Sequence, residues 1–313
     1  MRAQKKTVSK SAILPYLAPS LRPAFEGMPA EIWDNLEEIR MGAGRPVTLY
    51  AAQGSWFLSK NGQVSITPDG ARYCGKSEID ETLQLAAQNS IYAVSDKLKY
   101  GYLTIPGGHR MGLTGTAVQK DGEIVHIKDI SALNLRIAHA VYGAADPVLP
   151  YIVRDGIICS AMIIGPPQSG KTTLLRDLAR RLGDGYAKIG LIDERGEIAA
   201  MHAGIPQHEV GLRTDVLDFC PKDIGMPLLV RSMSPDVIIT DEIGLDADAY
   251  ALMQALGCGV SVIASAHGFG VEDVLQRAFF QECLRRFDIV IVLSRQNGTG
   301  NIAQVLRREN HDF

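Results

Sequence analysis

The sequence predicts two domains: a smaller α+β domain over residues 1–145, then an α/β domain with a mainly parallel sheet over residues 146–313. Three observations carry this. After about Asp146, short apolar runs alternate with helical stretches: Ala161–Ile164, Ile189–Ile192, Val237–Thr240, Val260–Ala264 and Ile289–Leu293. Runs buried on both faces, with helices between them, mark a parallel sheet. Before Ala145 the apolar runs are shorter and follow one another through hairpin signals. Finally, 313 residues suffice for two ordinary domains, and Pro147 and Pro150 at the join suit a linker.

In the first half, Val47–Tyr50, Trp56–Leu58 and Val64–Ile66 read as strands, the last two joined through Asn61-Gly62, a strong hairpin signal. Ser77 with Asp80 resembles a capping box, and the helix it opens carries Ile79, Leu83, Ala86 and Ala87 at helical spacing. Further hairpins pair Tyr102–Ile105 with Arg110–Thr114 across Pro106-Gly107-Gly108, and Thr116–Val118 with Val125–Ile127 across Asp121-Gly122.

The net charge of −3 gives no global basic field, and aromatic residues make up only 6%, so direct nucleic-acid binding is not expected. Five scattered cysteines contain no C-x-x-C pair, which argues against zinc or a disulfide framework. The basic start, Met1 to Lys6, is followed by no apolar stretch, and no window reaches the ~18 apolar residues of a membrane span. A soluble, cytoplasmic protein is expected.

Gly165-Pro166-Pro167-Gln168-Ser169-Gly170-Lys171-Thr172 fits the phosphate-loop pattern Gly-x4-Gly-Lys-Ser/Thr, and Thr173 continues it. The apolar run Ala161–Ile164 feeds the loop. A helix leaves it, with Leu174, Leu175, Leu178 and Leu182 on one side and Gly183 at its end. A triphosphate is densely negative; loop N–H groups and the helix N-terminus meet it with positive partial charge. Lys171 is the candidate for the β- and γ-phosphates and Thr172 for Mg²⁺. The expected ligand is ATP with Mg²⁺.

Val237–Thr240 ends in Asp241-Glu242. Asp241 fits the Walker B aspartate that holds Mg²⁺ through water, and Glu242 the carboxylate that polarises the attacking water. Ile189–Ile192 leads into Asp193-Glu194-Arg195-Gly196-Glu197, where Asp193, Glu194 and Glu197 are candidates for the γ-phosphate side; the bland alternative is a solvated helix N-terminus. His267 ends a third run and is a candidate γ-phosphate sensor, against the alternative of a structural histidine.

The order of these boxes resembles the secretion-ATPase branch of the additional-strand P-loop proteins, the hexameric motors of type II and type IV secretion and of pilus assembly. The resemblance rests on Gly165–Thr172, Asp193–Glu197, Leu229–Ile243 and Ser265-Ala266-His267. Within that branch, Glu38–Pro46, Gly108–Gly115, Gly165–Thr173 and Asp193–Ile198 are similar to its sporulation members. The resemblance implies a RecA-like core, ATP hydrolysis and a homo-hexamer. It also implies docking at the cytoplasmic face of a membrane channel or secretion complex joining mother cell and forespore during endospore formation. It implies arginines acting on a nucleotide across the subunit boundary, with Arg231, Arg213, Arg110 and Arg136 as candidates. Two departures stand out: Asp241 occupies a place where many secretion ATPases have glycine, and the four-cysteine module of the type II class is missing. The alternative reading is a nucleic-acid-handling P-loop ATPase.

Overall fold

The computed structural model describes residues 4–5, 7–88, 101–185, 187–296 and 298–308. The rest of the basic N-terminal hexapeptide lies outside them. The chain forms two compact units, Lys6–Ala140 and Val141–Phe313, the second joined by Gln4–Lys5, which pair with Val141–Tyr142.

The first unit is built on an antiparallel sheet. Its strands are β1 (Leu36–Gly42), β2 (Thr48–Ala51), β3 (Gly54–Leu58), β4 (Val64–Ser65), β5 (Tyr102–Ile105), β6 (His109–Lys120) and β7 (Glu123–Arg136). They lie in the order β4-β3-β2-β1-β7-β6-β5. Alternate residues, among them Ile39, Met41, Leu49, Met111, Leu113, Leu133 and Leu135, form one buried face. The Asn61-Gly62 hairpin forms, with Phe57 opposite Ser65 and Leu58 opposite Val64. Asp121 and Gly122, at φ 53° and 83°, make the tight turn between the long β6 and β7.

Helix α1 (Lys76–Ala86) buries Ile79, Leu83 and Ala86, as its spacing predicts. Its cap differs from the expected Ser77–Asp80 pair. Gly75 precedes the first turn, and the Glu78 carboxylate accepts the Gly75 N–H at 2.8 Å. An acid reaches back to the cap only from the third helical position, which Glu78 holds. Asp80 instead pairs with Lys76.

The second unit carries β8 (Ala161–Gly165), β9 (Ile189–Asp193), β10 (Thr214–Asp218), β11 (Val237–Glu242), β12 (Ser261–His267), β13 (Ile289–Ser294) and β14 (Asn301–Arg307), in the order β10-β9-β11-β12-β8-β13-β14. All pairings are parallel except β13 with β14. β12 thus separates β8 from β11. Helix α2 (Lys171–Asp184) packs Leu174, Leu175 and Leu178 on Ile163, Leu191, Ile239 and Ile263. Helices α3 (Lys222–Met233), α4 (Asp246–Gly257) and α5 (Ala278–Leu284) pack Met226, Leu252 and Phe280 on Met162, Ile164, Ile238 and Val262. Each central strand is therefore apolar on both faces, which is why it reads as an unbroken apolar run.

Two strands of this sheet have no counterpart in the predicted set, and neither does β1 of the first unit. β10 and β14 are the sheet edges, half-buried and rich in polar residues, so neither makes an apolar run. The stretch around Pro147 and Pro150 is not a free linker. Ala145, Val148 and Ile152 are fully buried in the α2-side core. Pro150 stands in the first turn of the short helix Leu149–Ile152, where its missing N–H costs nothing. Among the described residues no helix is long and apolar enough to cross a membrane.

Candidate nucleotide site

β8, buried throughout, delivers the Gly165–Thr172 loop to the carboxyl edge of the sheet, where open α/β sheets bind ligands. A Cβ on Gly165 would stand 2.4 Å from Ser169 Oγ and 3.2 Å from the Cβ atoms of Ser169 and Leu293, so the loop folds tightly over the first glycine. Gly170, at φ 97°, opens α2, and Gln168 at φ 61° is also left-handed. Residues of this kind turn N–H groups toward a common point and form anion-binding concavities. Ser169 is buried, and its Oγ has no hydrogen-bond partner among the described residues. The Gly300 N–H donates to the Ser169 carbonyl at 2.9 Å, so the β13–β14 connection braces the loop. Lys171 Nζ donates to the carbonyls of Gly165 (2.6 Å) and Pro166 (3.1 Å), lying across the loop. Burial lowers the Lys171 pKa, against the opposing pull of Glu242.

Strand register gathers the other candidates on this edge. Gly165 pairs with His267, and Glu242 with Ser265. Asp193 ends β9, Asp241 and Glu242 end β11, and His267 ends β12. The His267 carbonyl accepts a hydrogen bond from Arg277, and its ring centroid lies 6.3 Å from that of Phe269.

The acidic box splits in two. Asp193, fully buried, is turned onto its own loop. Its Oδ1 accepts the N–H groups of Glu197 (2.8 Å) and Ile198 (3.1 Å), and its Oδ2 those of Ile198 (3.0 Å) and Ala199 (2.8 Å), with Ala200 at 3.4 Å. Arg176 of α2 ties the same loop to the phosphate-loop helix, donating to the Glu197 carbonyl at 2.6 Å and the Ile198 carbonyl at 2.7 Å. Burial pushes the Arg176 guanidinium down to about 10, with Asp193 and Glu197 opposing it. The Glu197 residue itself is exposed. Glu194 points elsewhere, into an ion pair with Lys222.

Lys222, the first residue of α3, is 3% exposed and stands between Glu194 and Asp241, 2.8 Å from Asp241 Oδ1. Burial pushes the Asp241 carboxyl up to about 6; Lys222 pulls it down, and Asp193 and Glu194 push it further up. Burial alone would lower the Lys222 pKa, but the two carboxylates outweigh it and the net direction is upward. Lys222 and Arg176 are the residues that motif reading misses. Neither has a fixed spacing to any box. The available signal is electrostatic: acids at the ends of buried strands need a cation.

The arginine candidates are dispersed. Arg231 lies nine residues beyond Lys222 on α3, about 14 Å further along the axis, exposed, with its Nε on the Pro227 carbonyl at 3.2 Å. Arg213 precedes β10 and donates to the carbonyls of Asp184 and Gly185 at the end of α2. The structure brings neither to the loop of its own unit. In the other unit Arg110 stacks 3.4 Å from the Tyr102 ring centroid, and Arg136 lies 3.8 Å from the Glu38 carboxylate.

The donor set suits magnesium. The Thr172 hydroxyl in the first turn of α2 and the Asp241 carboxylate are hard oxygen donors. Among the described residues no three His, Cys, Asp or Glu side chains group as a metal site by themselves. An ion here would complete its shell with phosphate oxygens and water, as magnesium does.

A family model described as "Sporulation stage III, protein AA" matches residues 7–312. The chain belongs to that family. Stage III sporulation protein AA of Bacillus subtilis (strain 168) is 41% identical over 303 residues, covering 94% of this chain and 94% of that protein. Among solved structures, the Legionella pneumophila ATPase DotB superposes with a TM-score of 0.53 at 16% identity, covering 82% of this chain and 72% of DotB. The pilus retraction motor PilT with bound ADP gives 0.51 at 16% identity, covering 82% of this chain and 74% of PilT. At such identities the likeness shows the fold alone. This sporulation protein AA family member therefore has a RecA-like fold shared with DotB and PilT, preceded by an α+β region.

Proposed function

We propose that the protein is a Mg²⁺-dependent ATPase, a motor resembling those of secretion systems. In this reading it energises a membrane channel or secretion complex during endospore formation. It works as a homo-oligomer, a hexamer, on the cytoplasmic face of the membrane between mother cell and forespore. The observation that carries the reading is the shared edge: the phosphate loop, Asp241-Glu242 and His267 emerge from neighbouring strand ends of one parallel sheet. Membership of the sporulation family and a fold shared with DotB and PilT support it.

In this reading the loop N–H groups and Lys171 hold the β- and γ-phosphates, Lys171 leaving the Gly165 and Pro166 carbonyls to do so. Thr172 and Asp241 hold Mg²⁺, which when bound neutralises charge on the phosphoryl oxygens. Glu242, half-buried and one residue beyond Asp241, orients the attacking water. His267, on the strand beside the loop, acts on the γ-phosphate side. Glu194, paired with Lys222, and the exposed Glu197 are the acidic-box candidates for the γ-phosphate side. Arg231, on an exposed helix turn, serves the nucleotide of a neighbouring copy, where an arginine stabilises transition-state charge.

The test is ATP turnover by the wild type and Lys171→Ala, with and without Mg²⁺ and single-stranded DNA, with oligomeric state followed by sedimentation. Mg²⁺-dependent turnover that falls about 100-fold or more in Lys171→Ala, indifferent to DNA, is expected. Absence of turnover in every oligomeric state overturns the reading. Stimulation by DNA replaces it with a nucleic-acid-handling ATPase.

A further inference from the structure

The charges at the acidic edge are unevenly shared. Asp193 is committed to the N–H groups of its own loop. Glu242 lies on the Lys171 side, where its charge opposes the lowering of the ammonium's pKa by burial. Glu197 is exposed, and the other two acids, Glu194 and Asp241, share the Lys222 ammonium, 2.8 Å from Asp241 Oδ1. That ammonium is 3% exposed and anchored to the first turn of α3, so it is held in place rather than free to swing into solvent. It sits on the same carboxylate that the proposed function assigns to Mg²⁺.

We propose that Lys222 is a built-in counter-ion that keeps Asp241 and Glu194 from taking a divalent cation until nucleotide brings one. The inference rests on the reading of Asp241 as the metal-side acid. Without Lys222 the pair presents two negative charges, a buried one on Asp241 and a half-exposed one on Glu194, an attractive site for a divalent ion. With Lys222 the net charge of the group falls from −2 to −1, which halves its attraction for a divalent ion, and the ammonium against Asp241 Oδ1 repels any cation that approaches the same oxygen. A triphosphate changes the balance, because it carries its own negative charge to the same edge and supplies further ligands. Metal binding then depends on nucleotide, and ion and nucleotide enter as a unit.

The competing reading makes Lys222 a peg that only fastens α3 to β11. Binding of Mn²⁺ to the full chain without nucleotide separates the two. It is followed by the electron paramagnetic resonance signal of free Mn²⁺ near pH 8, together with melting temperature with and without Mn²⁺. The wild type is expected to bind weakly and gain no melting shift. Lys222→Gln keeps hydrogen-bond donors and removes the charge; it is expected to bind Mn²⁺ about tenfold or more tightly and to gain a Mn²⁺-dependent rise in melting temperature. Lys222→Met should do the same, Lys222→Arg should stay with the wild type, and adding Asp241→Asn to Lys222→Gln should erase the gain. Equal Mn²⁺ affinity in folded wild type and Lys222→Gln overturns the proposal, as does a gain that survives Asp241→Asn. Loss of fold in both Lys222→Gln and Lys222→Met, with Lys222→Arg intact, assigns the peg role and also overturns it. The readout is independent of turnover: a chain that gains Mn²⁺ binding yet hydrolyses nothing defeats the proposed function and leaves this inference standing.

Discussion

Gly165 and His267 lie opposite one another in the parallel β8–β12 pair. The first begins the phosphate loop and the second ends the strand beside it, so the histidine is placed by sheet register and not by a flexible segment.

His267→Ala should therefore separate binding from chemistry. Nucleotide affinity is expected to stay within about threefold, while kcat falls about 10- to 100-fold. Fluorescent-nucleotide titration alongside steady-state turnover reads both. An unchanged kcat would remove His267 from the mechanism.

Asp193→Ala strips the acceptor from the N–H groups of Glu197, Ile198 and Ala199, which are part-buried or buried. Unfolding free energy should drop by about 3 kcal/mol or more, measured by urea denaturation. Trypsin should cut faster at Arg195, whose loop has lost its clasp. A variant with wild-type stability would show that the loop does not depend on this carboxylate.

Gly170→Ala places a side chain at φ 97°, with Thr299 and the Gly300 nitrogen each 3.1 Å from the new Cβ. Left-handed backbone alone costs about 1–2 kcal/mol for an L-residue. A lower melting temperature and weakened nucleotide binding should appear together, because the same residue opens α2.

His109 predicts an acid-sensitive first unit. It is 2% exposed, its Nδ1 accepts the Ala138 N–H at 3.0 Å, and burial, with His139 beside it, pushes its pKa down from 6.5 to about 4. Folding thus favours neutral imidazole. Its stabilisation is complete above pH 6.5 and is lost as pH falls toward 4, by about 3 kcal/mol in total. Chemical denaturation at pH 7.5 and pH 4.5 should show the loss in the wild type and a smaller one in His109→Gln.

The central strands were readable in the sequence because both faces of each are covered, so burial writes itself as an unbroken apolar run. The phosphate loop was readable because its backbone geometry admits few residues: Gly165 from crowding, Gly170 from its positive φ. The edge strands β10 and β14 escaped because half-burial leaves no periodic trace. The capping of α1 was misplaced by two residues because Glu78 and Asp80 are both acids near a helix start, and only the true first turn decides between them. Lys222 and Arg176 escaped for a different reason. Their partners are 28 and 21 residues distant in the chain, and what joins them is burial of charge.

The insertion of β12 between β8 and β11 turns the sheet into a ruler. Neighbouring strands are spaced by about 4.8 Å, so the loop and the Asp241-Glu242 pair stand about 10 Å apart across the sheet. A ligand that rests on the loop reaches Glu242 only if its reactive end projects across that span. A chain of phosphates covers more of that span than a lone phosphate on the loop does. Length, as much as charge, then decides which occupant of the loop is exposed to the acid beyond it.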